Sequence, residues 1–423
     1  MYLRRVFRAV IASLVLSVSL QSVSFAGTVS HQATIQAHGH SSGSHHHHQP
    51  PAVKGVPTVN VRDFGATGDG VTDDTAAIQN AIAAAQASGK GVLFPAGTYL
   101  HASVITANSV PLFGVGGAST LLANNSNSTA VILTGNSPSI QNLVVSSAPA
   151  GTGVFDQVPT HATLLVQAAQ NFIVQGITIV QGVGRIGVFV QSSAVGNVSG
   201  VTLNGTGSTL TDVGIVVDGC ANVSLLGNLL LNEWQSIQVG NPLYSPFTCT
   251  SIAVIANTIS TNVASAIGIL TNGVQVLDVS QNQIQVGSQA TSAIFISSGN
   301  NNLVAQNVTS GGAPGVHFFS NGSGNVITQN TIRDCAGSGV VIQANPASGN
   351  VQFVSNQFGE CGTLFTIPVA QFIPIAGPDS ITVLNNVYAG HQNALTFFIF
   401  NTAHLSLVSG NAQVQTALPN NLP

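Results

Sequence analysis

The sequence predicts an all-β solenoid, a parallel β-helix closed at its N-terminal end by one capping helix. Three observations carry this expectation. Charged residues make up 5% of the 423, against roughly 25% in an ordinary soluble domain. Val, Ile, Thr, Asn and Gly fill the middle of the chain, a mixture that suits strands joined by turns and gives helices little support. From about residue 130 to 390 the chain also repeats a unit of short strand, turn and second alternating strand, with Asn returning at one register. Those asparagines are Asn228, Asn257, Asn282, Asn307, Asn330, Asn356 and Asn386, spaced 23 to 30 residues apart, and a fixed period of that length marks a solenoid.

Residues 1–26 read as a secretory signal. Arg4, Arg5 and Arg8 form a basic start, "AVIASLVLSVSL" is the apolar stretch, and Ser24 and Ala26 offer small residues for cleavage before Gly27. The apolar run is short for a membrane span, so a secreted or periplasmic protein is expected. Removing the three signal arginines leaves twelve acids against five bases, a net charge of −7. That balance argues against nucleic acid and anionic membrane surfaces as partners. Residues 27–55 are rich in Ser, Gly, Pro and His without apolar periodicity. They read as a polar tether whose run His45 to His48 binds metal only adventitiously.

The folded domain is expected over 56–423, with a cap at 56–100 and repeats over 130–390. "VPTVNVRDF" gives a short strand, and "DDTAAIQNAIAAAQASG" gives the clearest helix. Asp73 or Asp74 supplies its N-cap, Ile78, Ala81, Ile82 and Ala85 its apolar face, and Gly89 its stop. "GVLFPAGTYL" follows as a strand broken by a turn. The type of solenoid follows from the repeat chemistry. Leucine-rich units would fix Leu at several positions, and helical repeats would need helix formers. A parallel β-helix instead stacks like positions, so inward Ile and Val fill a core. An interior Asn in each coil is tolerable only where stacked amides bond to one another and to the turn backbone.

The stretch "VNVRDFGATGDGVTDDTAAIQNAIAAA", continued by "GKGVLFPAGTYL", resembles the N-terminal segment of the pectate-lyase-like superfamily, in its rhamnogalacturonase and epimerase-like branch. The resemblance is strong over 58–100, and the repeats agree with it to about residue 390. It implies a right-handed parallel β-helix. It also implies that Asp63, Asp69, Asp73 and Asp74 belong to the cap, where the first coil would otherwise expose unpaired backbone and core. The adjacent Asp73-Asp74 is therefore read as structural, not catalytic. The polygalacturonase signatures Asn-Thr-Asp, Gly-His-Gly and Arg-Ile-Lys are absent, as is the alginate epimerase Asp-Pro-His-Asp. A standard polygalacturonase is not expected.

Stacking "HATLLVQ", "RIGVFVQ", "DVGIVVD", "WQSIQVG", "AIGILTN" and "GVHFFSN" gives the site expectation. The first column reads His161, Arg185, Asp212 and Trp234, with Glu233 just before the Trp; the seventh reads Gln167, Gln191, Asp218 and Gly240. Coils about 4.8 Å apart would set these side chains in one outward ladder, with Asp156 in the preceding loop. Asp212, Glu233 and Asp156 are candidate carboxyls for hydrolysis. Arg185 and His161 would serve a uronate β-elimination, with calcium the one cofactor that a lyase would invite. Trp234 would stack on a sugar ring, with Asp218 and Gln191 beside it. The bland alternative is an Arg185–Asp212 salt bridge with Trp234 packed under a loop. His317 is a lone outward histidine, and Arg333-Asp334 a local ion pair.

Register pairs Cys220 with Cys249 and Cys335 with Cys361, 29 and 26 residues apart. Both are expected as disulfides in an exported protein, with stacked free thiols the alternative. Two functions stay open: an exported polysaccharide lyase or hydrolase acting on an acidic or plant-type polysaccharide, and a non-catalytic β-helix adhesin or surface carbohydrate-binding protein. Some β-helices trimerise, so a homotrimer stays open as well.

Overall fold

The repeat unit is one coil of three short strands. Ile186–Gln191, Ala194–Ser199 and Thr202–Asn204 make one coil, and Val213–Asp218, Ala221–Leu226 and Leu229–Leu231 make the next. The computed structural model describes residues 56–125, 128–149, 159–208, 212–240, 249–320, 322–344 and 351–361. It also describes shorter stretches at 370–374, 381–389, 398–400, 405–409 and 412–414. The expected signal and His-rich tether lie outside these residues. Neighbouring coils pair in parallel, the first two strands of each in a 24-stranded sheet and the third in a 14-stranded sheet.

Register is set by the inward positions. Val188, Ile215, Ile237, Ile269, Ile294 and Val316 stack coil upon coil, each with no exposed surface. A slip of one residue would turn such a row outward. Neighbours along each strand face the other way, and in several coils they are buried as well, as Phe189, Val216 and Gln238 are.

The seven asparagines stack as expected. Each donates its side-chain amide to the carboxamide oxygen of the next, from Asn228 to Asn386, at 2.8–3.0 Å. Each also gives its backbone N–H to that same oxygen. The second amide hydrogen reaches a main-chain carbonyl, as Asn307 Nδ2 reaches Val279 O at 2.8 Å. The residue before each Asn makes the corner by adopting left-handed backbone, as Gln281, Gln306 and Gln329 do at φ 56–58°.

The cap helix is Thr75–Ser88, ended by Gly89 at φ 63°. Ile78, Ala81, Ile82 and Ala85 are buried and continuous with the solenoid core. Asp74 occupies the N-cap position, yet its side chain makes no cap bond to the helix. Its carboxylate instead takes the Thr67 and Gly68 amides at 2.7 and 3.0 Å. Asp73 accepts from Thr75 N at 3.0 Å and from Thr75 Oγ1, and Asp69 from Val71, Thr72 and its hydroxyl. The acids of "GDGVTDD" thus satisfy turn amides and hydroxyls, a structural role.

Candidate functional site: an acidic corner of the solenoid

The predicted first column sits in one corner, where the third strand of a coil turns into the first strand of the next. Main-chain bonds confirm the stacking: Val213 N donates to Arg185 O, Trp234 N to Asp212 O, and Ile267 N to Trp234 O, at 2.9–3.2 Å. The side chains do not form an outward ladder. Arg185, Asp212 and Glu233 have no exposed surface. The alternation that places strand side chains in or out does not extend to residues just ahead of a strand, where the chain is still turning.

Arg185 reaches across the preceding coils. Its Nε donates to Ala148 O at 2.8 Å, Nη1 to Ser128 O at 2.7 Å and Nη2 to Asn125 O at 3.0 Å. The guanidinium therefore ties main-chain segments together, and burial lowers its proton affinity. Asp212 accepts Gly184 N at 3.0 Å through Oδ1, and Thr206 N at 2.9 Å together with Thr206 Oγ1 through Oδ2. It holds the turns of two coils.

Glu233 is bound differently. Its Oε2 accepts Gln181 Nε2 at 2.9 Å, and its main-chain oxygen accepts Thr261 Oγ1 at 2.7 Å. Burial, reinforced by the like charge of Asp212, pushes its carboxyl well above the usual carboxylate range, while the Gln181 bond pulls the other way. Gly205 makes this arrangement fit. A Cβ at that position would stand 2.7 Å from the Glu233 carboxyl carbon, so the missing side chain is what lets Glu233 reach across to Gln181.

Trp234 is half-buried against both the solenoid core and an apolar cluster of Ala162, Leu165, Ile186, Phe189, Val213 and Val216. Its indole N–H donates to Ser265 O at 3.1 Å. Part of its ring therefore packs into the solenoid while the rest stays exposed. His161 closes a short 3₁₀ turn, Pro159–His161, ahead of its strand. Asp156 lies outside the described residues. The seventh column keeps its register through Gln167, Gln191 and Asp218. Gln167 Nε2 donates to Gln191 Oε1 at 3.0 Å, whereas Asp218 is buried.

Three further expectations change. Cys335 and Cys361 are bonded, with Cα atoms 4.5 Å apart, but Cys220 and Cys249 are buried free thiols. Register places them on neighbouring coils, as Thr250 N bonding to Cys220 O shows. Each sulfur points instead at a carbonyl, Cys220 Sγ to Asp218 O at 3.2 Å and Cys249 Sγ to Val217 O at 3.6 Å. His317 is buried, not outward in solvent, and meets Phe295 edge-on at 4.6 Å between centroids. The alignment of "AIGILTN" over "GVHFFSN" is two residues out, because Ile269 stacks through Ile294 on Val316. The Arg333–Asp334 contact is present at 3.7 Å.

Sequence reasoning missed Gln181, Gly205 and Thr206, which complete the corner. None carries a charge or a motif; Thr206 meets Asp212 within one link, whereas only the coil-to-coil stacking brings Gln181 and Gly205 to Glu233. Among the described residues no group of three or more His, Cys, Asp or Glu is placed to hold a metal ion.

Comparison with known proteins agrees with this architecture. Mannuronan C5-epimerase AlgE1 of Azotobacter vinelandii is 68% identical over 41 residues, 10% of this chain and 3% of that protein. Plasmin and fibronectin-binding protein A of Streptococcus pneumoniae is 55% identical over 49 residues, 11% of this chain and 7% of that protein. The chain thus spans only a small fraction of the curated relatives it matches. An exopolygalacturonase from Thermotoga maritima superposes with a TM-score of 0.52 at 12% identity, covering 86% of this chain and 94% of that one, a likeness of fold alone. A right-handed β-helix region is matched over 268–411. Over residues 58–289 the match is to rhamnogalacturonase A/epimerase, pectate lyase-like, and the chain belongs to that family.

Proposed function

We propose that this protein is an exported, non-catalytic β-helix that binds polysaccharide through its outer faces. One observation carries the reading: the three groups that would do chemistry, Arg185, Asp212 and Glu233, have no exposed surface, and their polar atoms bond to main-chain groups, to Thr206 and to Gln181. The surface instead presents stacked carboxamides. Gln281, Gln306 and Gln329 bond in a row at 3.1–3.2 Å, Asn171 bonds to Asn136 and Asn232 to Asn204. Carboxamides repeating about every 4.8 Å offer donor and acceptor together, which suits the hydroxyls of a glycan. The family supports both roles, since one relative is an epimerase and another a binding protein. Export rests on the basic and apolar start of the chain. No described helix is long and apolar enough to cross a membrane.

An enzymatic reading keeps one specific observation. Glu233 and Asp212 are neighbouring carboxyls in different environments, the division of roles that a general acid and its partner need. It would require the corner to open. A polysaccharide panel separates the two readings, scoring retention on each polymer, new reducing ends and absorbance from unsaturated products. Retention without products is expected. Products that vanish in Glu233→Gln would transfer the assignment to hydrolysis, and retention on none of the polymers would overturn the binding proposal.

A further inference from the structure

Glu233 is among the most enclosed acids in the molecule, and its surroundings raise a problem of hydrogen-bond satisfaction. Its Oε2 has the Gln181 amide, but Glu233 Oε1 and Gln181 Oε1 are both buried and meet no donor among the described residues. A buried acceptor without a donor costs about 1–3 kcal/mol. Two of them, on the two groups of one hydrogen-bonded pair, share a single remedy. A carboxylic acid and a primary amide can join through two bonds at once, amide N–H to carboxyl oxygen and carboxyl O–H to amide oxygen.

We propose that Glu233 is held as a neutral carboxylic acid whose proton bonds to Gln181 Oε1, forming an acid–amide clasp that opens when the proton is lost. One added proton gives both orphan oxygens a partner. The clasp spans coils: Gln181 follows the strand Thr178–Val180, and Glu233 follows Leu229–Leu231, two coils on. Between them lies Gly205, whose lack of a side chain leaves the passage clear.

The charges around the clasp favour the neutral form. Asp212, on the intervening link, faces Glu233 and repels a second negative charge. Arg185, the cation of this corner, directs its guanidinium to the carbonyls of Asn125, Ser128 and Ala148. Thr261 donates to the main chain of Glu233 and not to its carboxyl. Ionising Glu233 would leave a buried carboxylate beside a second acid and turn Gln181 Oε1 against a like partial charge. The corner that joins three coils then loosens, which makes it a pH-sensitive joint.

The linkage has a definite sign. The unfolded chain gives up this proton near the ordinary 4.5, whereas the folded chain keeps it to higher pH. Glu233 thus contributes its full share of stability below 4.5 and loses it as pH rises toward the folded value. Glu233→Gln keeps the shape and pairs amide with amide, so its stability lacks this slope. The test uses the full chain. Infrared absorption at neutral pH should show the carbonyl stretch of a protonated carboxylic acid, lost in Glu233→Gln and lost in the wild type at alkaline pH. Denaturation midpoints should show the advantage of Glu233→Gln growing as pH rises above 4.5. A wild type without that band at neutral pH overturns the clasp, and so does a midpoint difference that stays constant with pH. Should Glu233→Gln not fold, the band in the wild type and its loss with alkali decide the matter alone.

Discussion

Replacing Asn307 by Ala removes one rung from the buried amide stack, and its cost follows from the bonds it makes. Asn307 Oδ1 accepts Asn282 N at 3.0 Å and Asn282 Nδ2 at 2.9 Å. Its Nδ2 donates to Val279 O at 2.8 Å and to Asn330 Oδ1 at 2.9 Å. In the variant, Asn330 Oδ1 still receives the Asn307 backbone N–H. Two buried groups are left without partners, the Asn282 main-chain N–H and one Asn282 amide hydrogen, while the Val279 carbonyl, on a strand paired to the next coil, loses its side-chain donor. At about 1–3 kcal/mol for each orphaned group, the expected loss is about 2–6 kcal/mol. The adjacent residue supplies the control. Gln306 makes the same kind of ladder, at 3.1–3.2 Å, in solvent, where water replaces a lost partner. Ala256 already occupies the equivalent corner position on another coil. Gln306→Ala is therefore expected to change stability by no more than about 0.5 kcal/mol. Denaturant midpoints of the two variants measure the contrast. Hydrogen exchange at the Asn282 amide localises it, because solenoid coils open regionally. Equal midpoints for Asn307→Ala and Gln306→Ala would refute the reasoning that burial, and not stacking itself, gives the ladder its strength.

Three further outcomes are expected. Val195 and Val276 adopt left-handed backbone at φ 52° and 58°, in a column where Asn171, Asn222 and Asn301 do the same. Both are about half exposed. Left-handed backbone costs an L-residue about 1–2 kcal/mol and is better tolerated by Asn, so Val195→Asn and Val276→Asn should each raise the denaturation midpoint by up to about 1 kcal/mol of stability. Burial pushes the Cys220 thiol up to about 12 and raises Cys249 as well. Native protein should therefore resist alkylation, and unfolding without reductant should expose two labelled cysteines per chain by intact mass. His101 is buried, with Nδ1 bonded to Ser103 O at 2.9 Å and Nε2 without a partner among the described residues. Burial lowers its pKa below the ordinary 6.5, so the unfolded chain takes up the proton first. Stability from neutral His101 is complete above 6.5 and is lost as pH falls below it, and midpoints of His101→Leu should lack that part of the acid limb.

The sequence by itself determined the solenoid, its strand-based coil and its buried Asn stack. These follow from a period that must repeat: like positions lie one above another, so one mismatched inward residue would disturb every neighbour. Register of the first column was legible for the same reason, from Arg185 through Asp212 to Trp234. What only the tertiary structure decided is where side chains point once the chain leaves a strand. At the corner, alternation ceases to be a guide, and Arg185, Asp212 and Glu233 turn inward to main-chain groups, Thr206 and Gln181. Cys220 and Cys249 show the same limit, since adjacency of coils is set by register but each thiol turns to a nearby carbonyl and not to its neighbour. Gln181 and Gly205 carry no sign of their importance in the sequence. Their role exists only because coils 24 and 27 residues apart are brought into contact, which lets a missing side chain on one make room for a bond between two others.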